Sequence, residues 1–217
     1  MEIVERILEQ ASKMFLKHGI RSVTMDDIAR EMGVSKRTIY ENFRDKDELL
    51  EICLRNHKQE VKHHQQLVIA TSTNVLESIY RIMFEVAAAM NQVHPSFISD
   101  LKKYHNHLYK DHILKNQDDH IHVFEKLLIK GIEDGIFRDN INVAIVTRML
   151  NSQLREMTNE ELFPVELFSR ADVFVNIIVN FTRGIATPKG IKVIDKIIEL
   201  RKNELEKKQK NYEKRDY

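Results

Sequence analysis

The chain of 217 residues is 42% hydrophobic and 31% charged, which is sufficient apolar content for a packed core and excludes a wholly disordered protein. Its formal net charge of +1 at pH 7 excludes a polycation, so any contact with nucleic acid must come from a local basic patch. With 6 Gly, 3 Pro and one cysteine, the chain is a poor candidate for a turn-rich β-barrel, a disulfide framework or a Cys-rich zinc site.

The N-terminal segment, MEIVERILEQ, is charged where a signal peptide needs a basic start and an apolar run. No stretch approaches the roughly 18 consecutive apolar residues of a membrane-spanning helix. We therefore expect a cytoplasmic protein that has no membrane partner.

Apolar residues at helical spacing, and the absence of alternating strand patterns, predict an all-α fold with nine or ten helices. Capping residues and glycines mark the helix boundaries. The charged residues after Leu205 are either an extension of the last helix or a disordered tail. The predicted boundaries lie at Gly19, Thr24, Gly33 and Ser35, followed by helices over about 44–64, 75–90, up to Gly131 or Gly135, 142–157, 164–185 and 191–205.

Two short helices between Thr24 and Phe43, joined by a turn that contains Gly33, have the pattern of a helix-turn-helix. The second helix of such a unit enters the major groove of DNA. Arg37, on its outward face, can form a bidentate pair with guanine, and Lys36 can reach a guanine or a phosphate.

Hydroxyl groups near these two cations suit the DNA backbone. Ser35, Thr38 and Tyr40 can donate to phosphate oxygens, which sets the register of a complex without reading its sequence. Lys46 can meet a phosphate beside the N–H groups that begin the next helix.

At this point the chain resembles the N-terminal DNA-binding domain of the TetR family of transcriptional regulators. The resemblance implies a three-helix DNA-binding domain over 1–46 and a larger helical ligand-binding and dimerisation domain over 47–217. It also implies a regulator, usually a repressor, that binds double-stranded DNA. The matching segments are Ala11–Gly19 (AxxxFxxxG), Thr24–Ala29 (TxxDIA), Gly33–Phe43 (GVSKRTIYENF) and Lys46–Leu50 (KDELL).

By position, the resemblance implies backbone contacts from Thr24, Tyr40 and Lys46. The groove contacts that it implies come from Ser35, Lys36, Arg37 and Thr38. Two residues depart from the family pattern: Arg37 stands where a small residue is common, and Asn42 where an aromatic residue or histidine is common. We favour base reading over a phosphate contact for Arg37, and we include Asn42 in the predicted DNA-binding set.

A helix-turn-helix reads half of a palindrome, so two copies must be held about 34–36 Å apart, or a multiple of that distance. The helices over 142–157 and 164–185 are apolar over broad faces, which indicates burial on more than one side. They are either central helices of a monomer or, as we favour and the resemblance implies, a four-helix homodimer interface. The predicted interface residues are Val146, Met149, Leu150, Leu154, Phe168, Ala171, Val175, Ile178 and Thr182.

The resemblance further implies that the helices between 75 and 131 enclose a site for a small-molecule effector of unknown identity. Methionines and aromatics at helical spacing are more often simple core, but methionine also suits adaptable apolar pockets. Bound effector would shift the helix over 46–64 and thereby the separation of the two DNA-reading heads. The candidate lining residues are Met83, Phe84, Phe97, Tyr104 and Phe124.

Ten histidines suggest an alternative, a metal-responsive regulator. Spacings of one or two residues do not place two imidazoles on one helical face, so we favour solvated surface histidines and predict no metal and no cofactor. The histidines concerned are His63, His64, His105, His107, His112, His120 and His122.

Two other classes of function compete with DNA binding. Glu41 and Asp45 make the helix-turn-helix less basic than an ideal DNA reader, which leaves open a non-catalytic scaffold that binds protein. The chain has no P-loop, no Gly-x-Gly-x-x-Gly and no Gly-x-Ser-x-Gly motif. Cys53 lies in an apolar helical stretch and is predicted to be a small buried residue rather than a nucleophile. We therefore predict that the protein is not an enzyme.

Overall fold

A computed structural model describes residues 2–213, apart from the side chains of residues 114, 116–120 and 208–213. Over these residues the chain is all-α as predicted, and β-structure is limited to one isolated bridge between Phe137 and Ala186. The helices are α1 (Ile3–His18), α2 (Met25–Met32), α3 (Lys36–Asn42), α4 (Lys46–Thr71), α5 (Val75–Met90), α6 (Ser96–Tyr104), α7 (Asn106–Leu108), a π-helical segment (Tyr109–Leu114), α8 (Lys115–Glu133), α9 (Val143–Glu156), α10 (Arg170–Ile185) and α11 (Pro188–Glu213).

The helix count over the described residues exceeds the predicted nine or ten, because the stretch 96–114 is divided into α6, α7 and the π-helical segment. α4 and α11 are also longer than predicted. α11 continues through Glu213, so the residues after Leu205 extend the helix as far as the structure describes them. No helix of the described chain combines the length and the apolar character needed to cross a membrane.

The start of α10 was predicted at Pro164 and lies instead at Arg170. Residues 164–168 form a turn in which the backbone N–H groups of Leu167 and Phe168 donate to the Pro164 carbonyl. The helix itself begins where the Ser169 hydroxyl accepts a hydrogen bond from the Asp172 N–H at 3.0 Å. A proline can begin a helix, but here the serine cap determines the start.

The chain divides into two compact units. The first comprises Met1–Leu67 and Ala88–His120, and it contains the helix-turn-helix. The second comprises Val68–Ala87 and Ile121–Tyr217. The domain boundary predicted after residue 46 concerns function and remains a prediction.

Each unit has its own hydrophobic core. In the first, α1, α2, α3, the start of α4 and α6 bury apolar side chains together. In the second, α5 packs with α8, α9, α10 and α11, and the buried Tyr80 hydroxyl lies 3.0 Å from the Thr182 hydroxyl. Core residues of the first unit include Ile7, Phe15, Ile28, Ile39, Leu49 and Leu101, and those of the second include Leu76, Met83, Leu128, Phe137 and Ile194.

Gly19 and Ile20, the first two residues of the turn between α1 and α2 (Gly19–Ser22), are buried within the first unit. Gly19 has a φ of 82° and a ψ of 158°, a conformation that is essentially restricted to glycine. A Cβ atom at this position would lie 2.5 Å from the Ser96 hydroxyl oxygen of α6. The neighbouring Arg21 N–H donates to the carboxylate of Asp100 at 3.1 Å, and Asp100 is 9% exposed. This α1–α2 turn is therefore fixed to α6 through backbone as well as side-chain contacts.

Candidate nucleic-acid interface

Local hydrogen bonds specify the start of α2. The Thr24 hydroxyl accepts from the Asp27 N–H at 3.1 Å, and the Asp27 carboxylate accepts from the Thr24 N–H at 3.0 Å. This reciprocal pair is a capping box, which satisfies backbone donors that a helix start leaves free. Hydrogen bonds to Thr24 also lower the pKa of Asp27, because they stabilise its charged carboxylate.

The turn and the start of α3 are equally local. Gly33 adopts a left-handed conformation with φ 67°, and the following Val34 N–H donates to the Ala29 carbonyl at 3.0 Å. The Ser35 hydroxyl then accepts from the Thr38 N–H at 3.1 Å and begins α3. The predicted helix-turn-helix is thus present, with each predicted cap in place.

The buried side of α3 determines which side chains face outward. Ile39 is fully buried and packs in the core that also contains Ile28 of α2. Arg37 consequently points into solvent, with 86% of its side chain exposed, and Tyr40 is 45% exposed. This outward side, which we call the α3 surface, consists of Lys36, Arg37, Tyr40 and Glu41.

Both cations of the α3 surface have a carboxylate partner. Lys36 Nζ lies 2.7 Å from Asp26 Oδ1 of α2, and its hydrogen bond to Asp26 raises the pKa of Lys36. Arg37 Nε lies 2.8 Å from Glu41 Oε1, one turn further along α3. Exposed ion pairs of this kind contribute roughly 0–1 kcal/mol and are screened by salt. Loss of either pair should therefore cost little stability, and Lys36 can exchange Asp26 for a phosphate or base contact.

The shorter polar side chains of α3 are engaged with their own helix. The Ser35 and Thr38 hydroxyl oxygens are 2.8 Å apart, and Asn42 donates from Nδ2 to the Thr38 carbonyl at 2.8 Å. Lys36 Nζ also lies 5.7 Å from the centre of the Tyr40 ring, within the range of a cation–π contact. The structure therefore brings together the predicted groove residues, and it gives Asn42 a helix contact as well.

Lys46 differs from the expectation of an amine held out for phosphate. Its Nζ donates to the Ile20 carbonyl at 2.5 Å and lies 5.9 Å from the centre of the Phe15 ring. Burial lowers the pKa of this amine. The N-terminal end of α4 also carries the protein's own carboxylate, since Asp45 Oδ1 accepts from the Glu48 N–H at 2.9 Å. A phosphate contact from Lys46 therefore requires its side chain to rotate away from the α1–α2 turn.

Comparison with known proteins agrees with this geometry. Residues 7–53 match the family described as bacterial regulatory proteins, tetR family. The helix-turn-helix segment of the chain is therefore similar to that of TetR-family regulators. It is 31% identical over 102 residues to the HTH-type transcriptional regulator YvaF of Bacillus subtilis (strain 168), a match that covers 46% of this chain and 53% of that one. It is 23% identical over 149 residues to the HTH-type transcriptional repressor KstR2 of Mycolicibacterium smegmatis, covering 67% of this chain and 73% of the repressor.

Solved structures share the fold over most of the chain. A transcriptional regulator from Cytophaga hutchinsonii has a TM-score of 0.68 at 17% identity and covers 85% of this chain and 98% of its own. The ketosteroid transcriptional regulator KstR2 of Mycobacterium tuberculosis has a TM-score of 0.57 at 21% identity, covering 86% and 96%. FadR from Bacillus subtilis, solved in complex with stearoyl-CoA, has a TM-score of 0.62 at 15% identity, covering 83% and 98%. The similarity of fold therefore extends beyond the helix-turn-helix into the rest of the helical chain.

The five candidate effector residues lie in different units. Met83 is buried in the core of the second unit, where Phe84 packs against Tyr80 and Phe124 against Phe181. Phe97 is instead buried in the core of the first unit, and Tyr104 is exposed there beside Arg21. Met83, Phe84 and Phe124 therefore share one core, whereas Phe97 and Tyr104 do not. All five residues remain predictions as ligand contacts.

The predicted dimer residues fall into two groups by burial. Leu150, Ala171, Ile178 and Thr182 are buried within the second unit of a single chain. Val146, Leu154 and Val175 are partly exposed, and Met149 and Phe168 are 54% and 45% exposed. Further apolar side chains with large exposed fractions lie in the same region: Ile145, Leu162, Val165 and Leu167.

The histidines and the cysteine are the residues to test for metal binding and for nucleophilic chemistry. Over the described residues, no group of three or more His, Cys, Asp or Glu side chains could hold a metal, and the side chain of His120 lies outside those residues. The prediction of a solvated surface histidine is wrong for His105, because only 13% of its side chain is exposed and its Nδ1 faces Asp47 Oδ1 at 3.0 Å. The Cys53 thiol is buried, as predicted, and burial raises its pKa to about 11, which disfavours the reactive thiolate.

Sequence reasoning missed the partners of the cations. Arg37 and Glu41 are four residues apart on one helix, a spacing that predicts contact and could have revealed the pair. The contact between Lys36 and Asp26 joins two helices across a turn. Asp100, which is 79 residues from its partner Arg21, carries no local sequence signal at all.

Proposed function

We propose that this protein is a TetR-like, ligand-responsive repressor that binds a near-palindromic DNA site as a homodimer through α3. The observation that supports this proposal best is the α3 surface, an outward-facing set of two cations and a tyrosine on a properly capped helix-turn-helix. Repression is supported by the relative KstR2, which is named as a repressor.

In the proposed complex, α3 lies in the major groove. Arg37 reads guanine through its O6 and N7 atoms, and Lys36 exchanges Asp26 for a phosphate or a guanine. Ser35, Thr38 and Tyr40 contact the backbone, and these contacts set the register. Thr24, Asn42 and Lys46 complete the proposed set.

The proposed dimer uses the exposed part of the predicted interface. Ile145 and Met149 are one turn apart on α9 and are 56% and 54% exposed, and Leu167 in the turn before α10 is 75% exposed. Exposed apolar side chains of this size favour burial against a partner. Each Å² of apolar surface removed from water stabilises the association by roughly 25 cal/mol. We propose that they meet a second copy of the chain, with Phe168 and the partly exposed Val146, Leu154 and Val175. The buried residues of the predicted set would then support this surface from within.

The proposed effector is a small molecule with an apolar part that binds within the second unit. Met83, Phe84 and Phe124 are the candidate contacts that share that core. Related folds have been solved with choline, in a Saccharomonospora viridis regulator, and with stearoyl-CoA, in Bacillus subtilis FadR. Regulation requires the effector to bind more tightly to the conformation with one separation of the DNA-reading heads than to the conformation with the other. α4 is the proposed lever, because it runs without a break from residue 46 to residue 71.

A gel-shift titration tests the DNA-binding proposal. The full chain is titrated against duplexes from upstream of its own gene and against a shuffled duplex, each at three salt concentrations. We expect the upstream site to bind at least about 10³-fold more tightly, with an affinity that falls steeply as salt rises. Light scattering on the same sample should give twice the chain mass of 25.6 kDa. Equal binding to both duplexes would overturn the regulator proposal and favour a surface that binds protein.

A further inference from the structure

The guanidinium of Arg37 is held at one edge only. Its Nε donates to Glu41 Oε1 at 2.8 Å, and no other described residue accepts a hydrogen bond from it. The two terminal nitrogens, Nη1 and Nη2, therefore remain available in a side chain that is 86% exposed. Arg37 and Glu41 occupy the same face of α3, one helical turn apart.

We propose that Glu41 is a positioning residue for base reading, an inference that rests on the proposed function. By accepting the Nε–H, its carboxylate fixes the plane of the guanidinium relative to α3. The fork formed by Nη1 and Nη2 is then presented to the O6 and N7 acceptors of guanine, the geometry that a bidentate contact needs. The Arg37 side chain is then pre-organised for the base contact, so it loses less conformational entropy when DNA binds.

The charge of Glu41 has a second consequence for specificity. Its carboxylate remains next to the groove when Arg37 contacts a base, and it repels nearby phosphates. Non-specific binding depends on the phosphate backbone, so this repulsion weakens the binding of random duplexes. Repulsion of the wrong partner is a recognised source of specificity. Glu41 thus favours the base contact of Arg37 over a phosphate contact.

Two substitutions separate positioning from charge. Glu41→Gln removes the charge but keeps an oxygen that can accept from Arg37 Nε, whereas Glu41→Ala removes both. Glu31→Gln is the matched control, because it removes a charge of the same sign from an exposed position of α2 without touching the Arg37 pair. Since Glu41 is exposed, all three variants should fold, which far-UV circular dichroism and an unfolding curve would verify.

The readout is fluorescence anisotropy with duplexes that differ only at the base pair whose recognition is lost in Arg37→Ala. Wild type and Glu31→Gln should prefer guanine by about 10-fold or more, the range of one bidentate contact. We expect Glu41→Ala to reduce this preference to about 3-fold or less and Glu41→Gln to retain most of it. Both Glu41 variants should bind a random duplex about 2–5-fold more tightly than wild type does.

Three results would overturn the inference while leaving the proposed function intact. Glu41→Ala could discriminate as well as wild type, or Glu41→Gln could lose as much as Glu41→Ala, which would reduce the role of Glu41 to charge. The loss in Glu41→Ala could also fall at a different base pair from that of Arg37→Ala, in which case Glu41 reads a base itself. Wild type with no preference at any position would instead overturn the proposed function.

Discussion

The α3 surface and the α1–α2 turn lie in the same unit and use the same kinds of charged groups, but in opposite ways. On the α3 surface, Arg37 and Glu41 pair in solvent, with 86% and 57% of their side chains exposed. At the turn, Asp100 is 9% exposed and accepts from a backbone N–H and from the Ser96 hydroxyl. Lys46 donates there to a backbone carbonyl rather than to a carboxylate.

This difference distinguishes residues that recognise DNA from residues that stabilise the fold. An exposed ion pair contributes little to stability, so its members can be substituted without unfolding the chain. A buried carboxylate that loses its hydrogen-bond donors costs its full desolvation free energy. Asp100 therefore keeps its partners and holds the α1–α2 turn in place. We therefore expect substitutions on the α3 surface to change DNA binding without changing stability. Substitutions at the turn should change stability first.

Gly19→Ala should have the largest effect. The conformation of Gly19 is restricted to glycine, and an added Cβ would also collide with Ser96. We expect the free energy of unfolding to fall by about 3 kcal/mol, measured by urea denaturation. Gly33→Ala is the control, because Gly33 also has a positive φ but no atom within 4 Å of the added Cβ. It should cost about 1–2 kcal/mol, and equal losses in the two variants would show that the turn is not tightly enclosed.

Asp100→Ala should cost about 2 kcal/mol of unfolding free energy, because the Arg21 N–H loses a charged acceptor in a buried site. The matched change on the α3 side is Asp26→Ala, which removes an exposed partner of Lys36 and should cost no more than about 0.5 kcal/mol. If Asp26→Ala were the more destabilising of the two, the distinction between the regions would be wrong.

Arg37→Ala should reverse that pattern. We expect a loss of about 1–3 kcal/mol in DNA-binding free energy at one base position, measured by fluorescence anisotropy. The unfolding free energy should stay within about 0.5 kcal/mol of wild type, because the side chain is exposed. A uniform loss across all sequences would instead assign Arg37 to phosphate.

Lys46→Ala tests the residue that belongs to both regions. Its amine donates to Ile20 in the turn, so its removal should cost about 1 kcal/mol of unfolding free energy. If Lys46 also rotates to a phosphate in the complex, affinity for every sequence should fall alike and the salt dependence should weaken by about one charge. Lost stability with unchanged affinity would leave Lys46 a purely structural residue.

Features that depend on contacts between sequence neighbours could be predicted, whereas contacts between residues far apart in the sequence could not. The caps at Thr24 and Ser35 and the left-handed Gly33 depend on neighbours within a few residues, so the sequence predicts them correctly. Asp100 meets a partner 79 residues away and could not be predicted from any local pattern.

The predicted dimer helices show the same limit. The apolar faces of α9 and α10 were recognisable, but a pattern alone does not tell which apolar side chains the chain buries in itself. Ile178 and Thr182, two of the predicted interface residues, are buried within a single chain, and their part in a dimer stays a prediction. Ile145 and Leu167, which were not included, are 56% and 75% exposed.

The central claim is that α3 is presented twice to DNA and reads it through Arg37. Selection from a pool of randomised duplexes, followed by sequencing, tests this claim most directly when wild type and Arg37→Ala are compared. We expect wild type to enrich an inverted repeat with half-sites about one helical turn apart, or a multiple of that. Arg37→Ala should enrich the same repeat with one position per half-site lost. Enrichment of no inverted repeat by wild type, or of an unchanged repeat by Arg37→Ala, would contradict it.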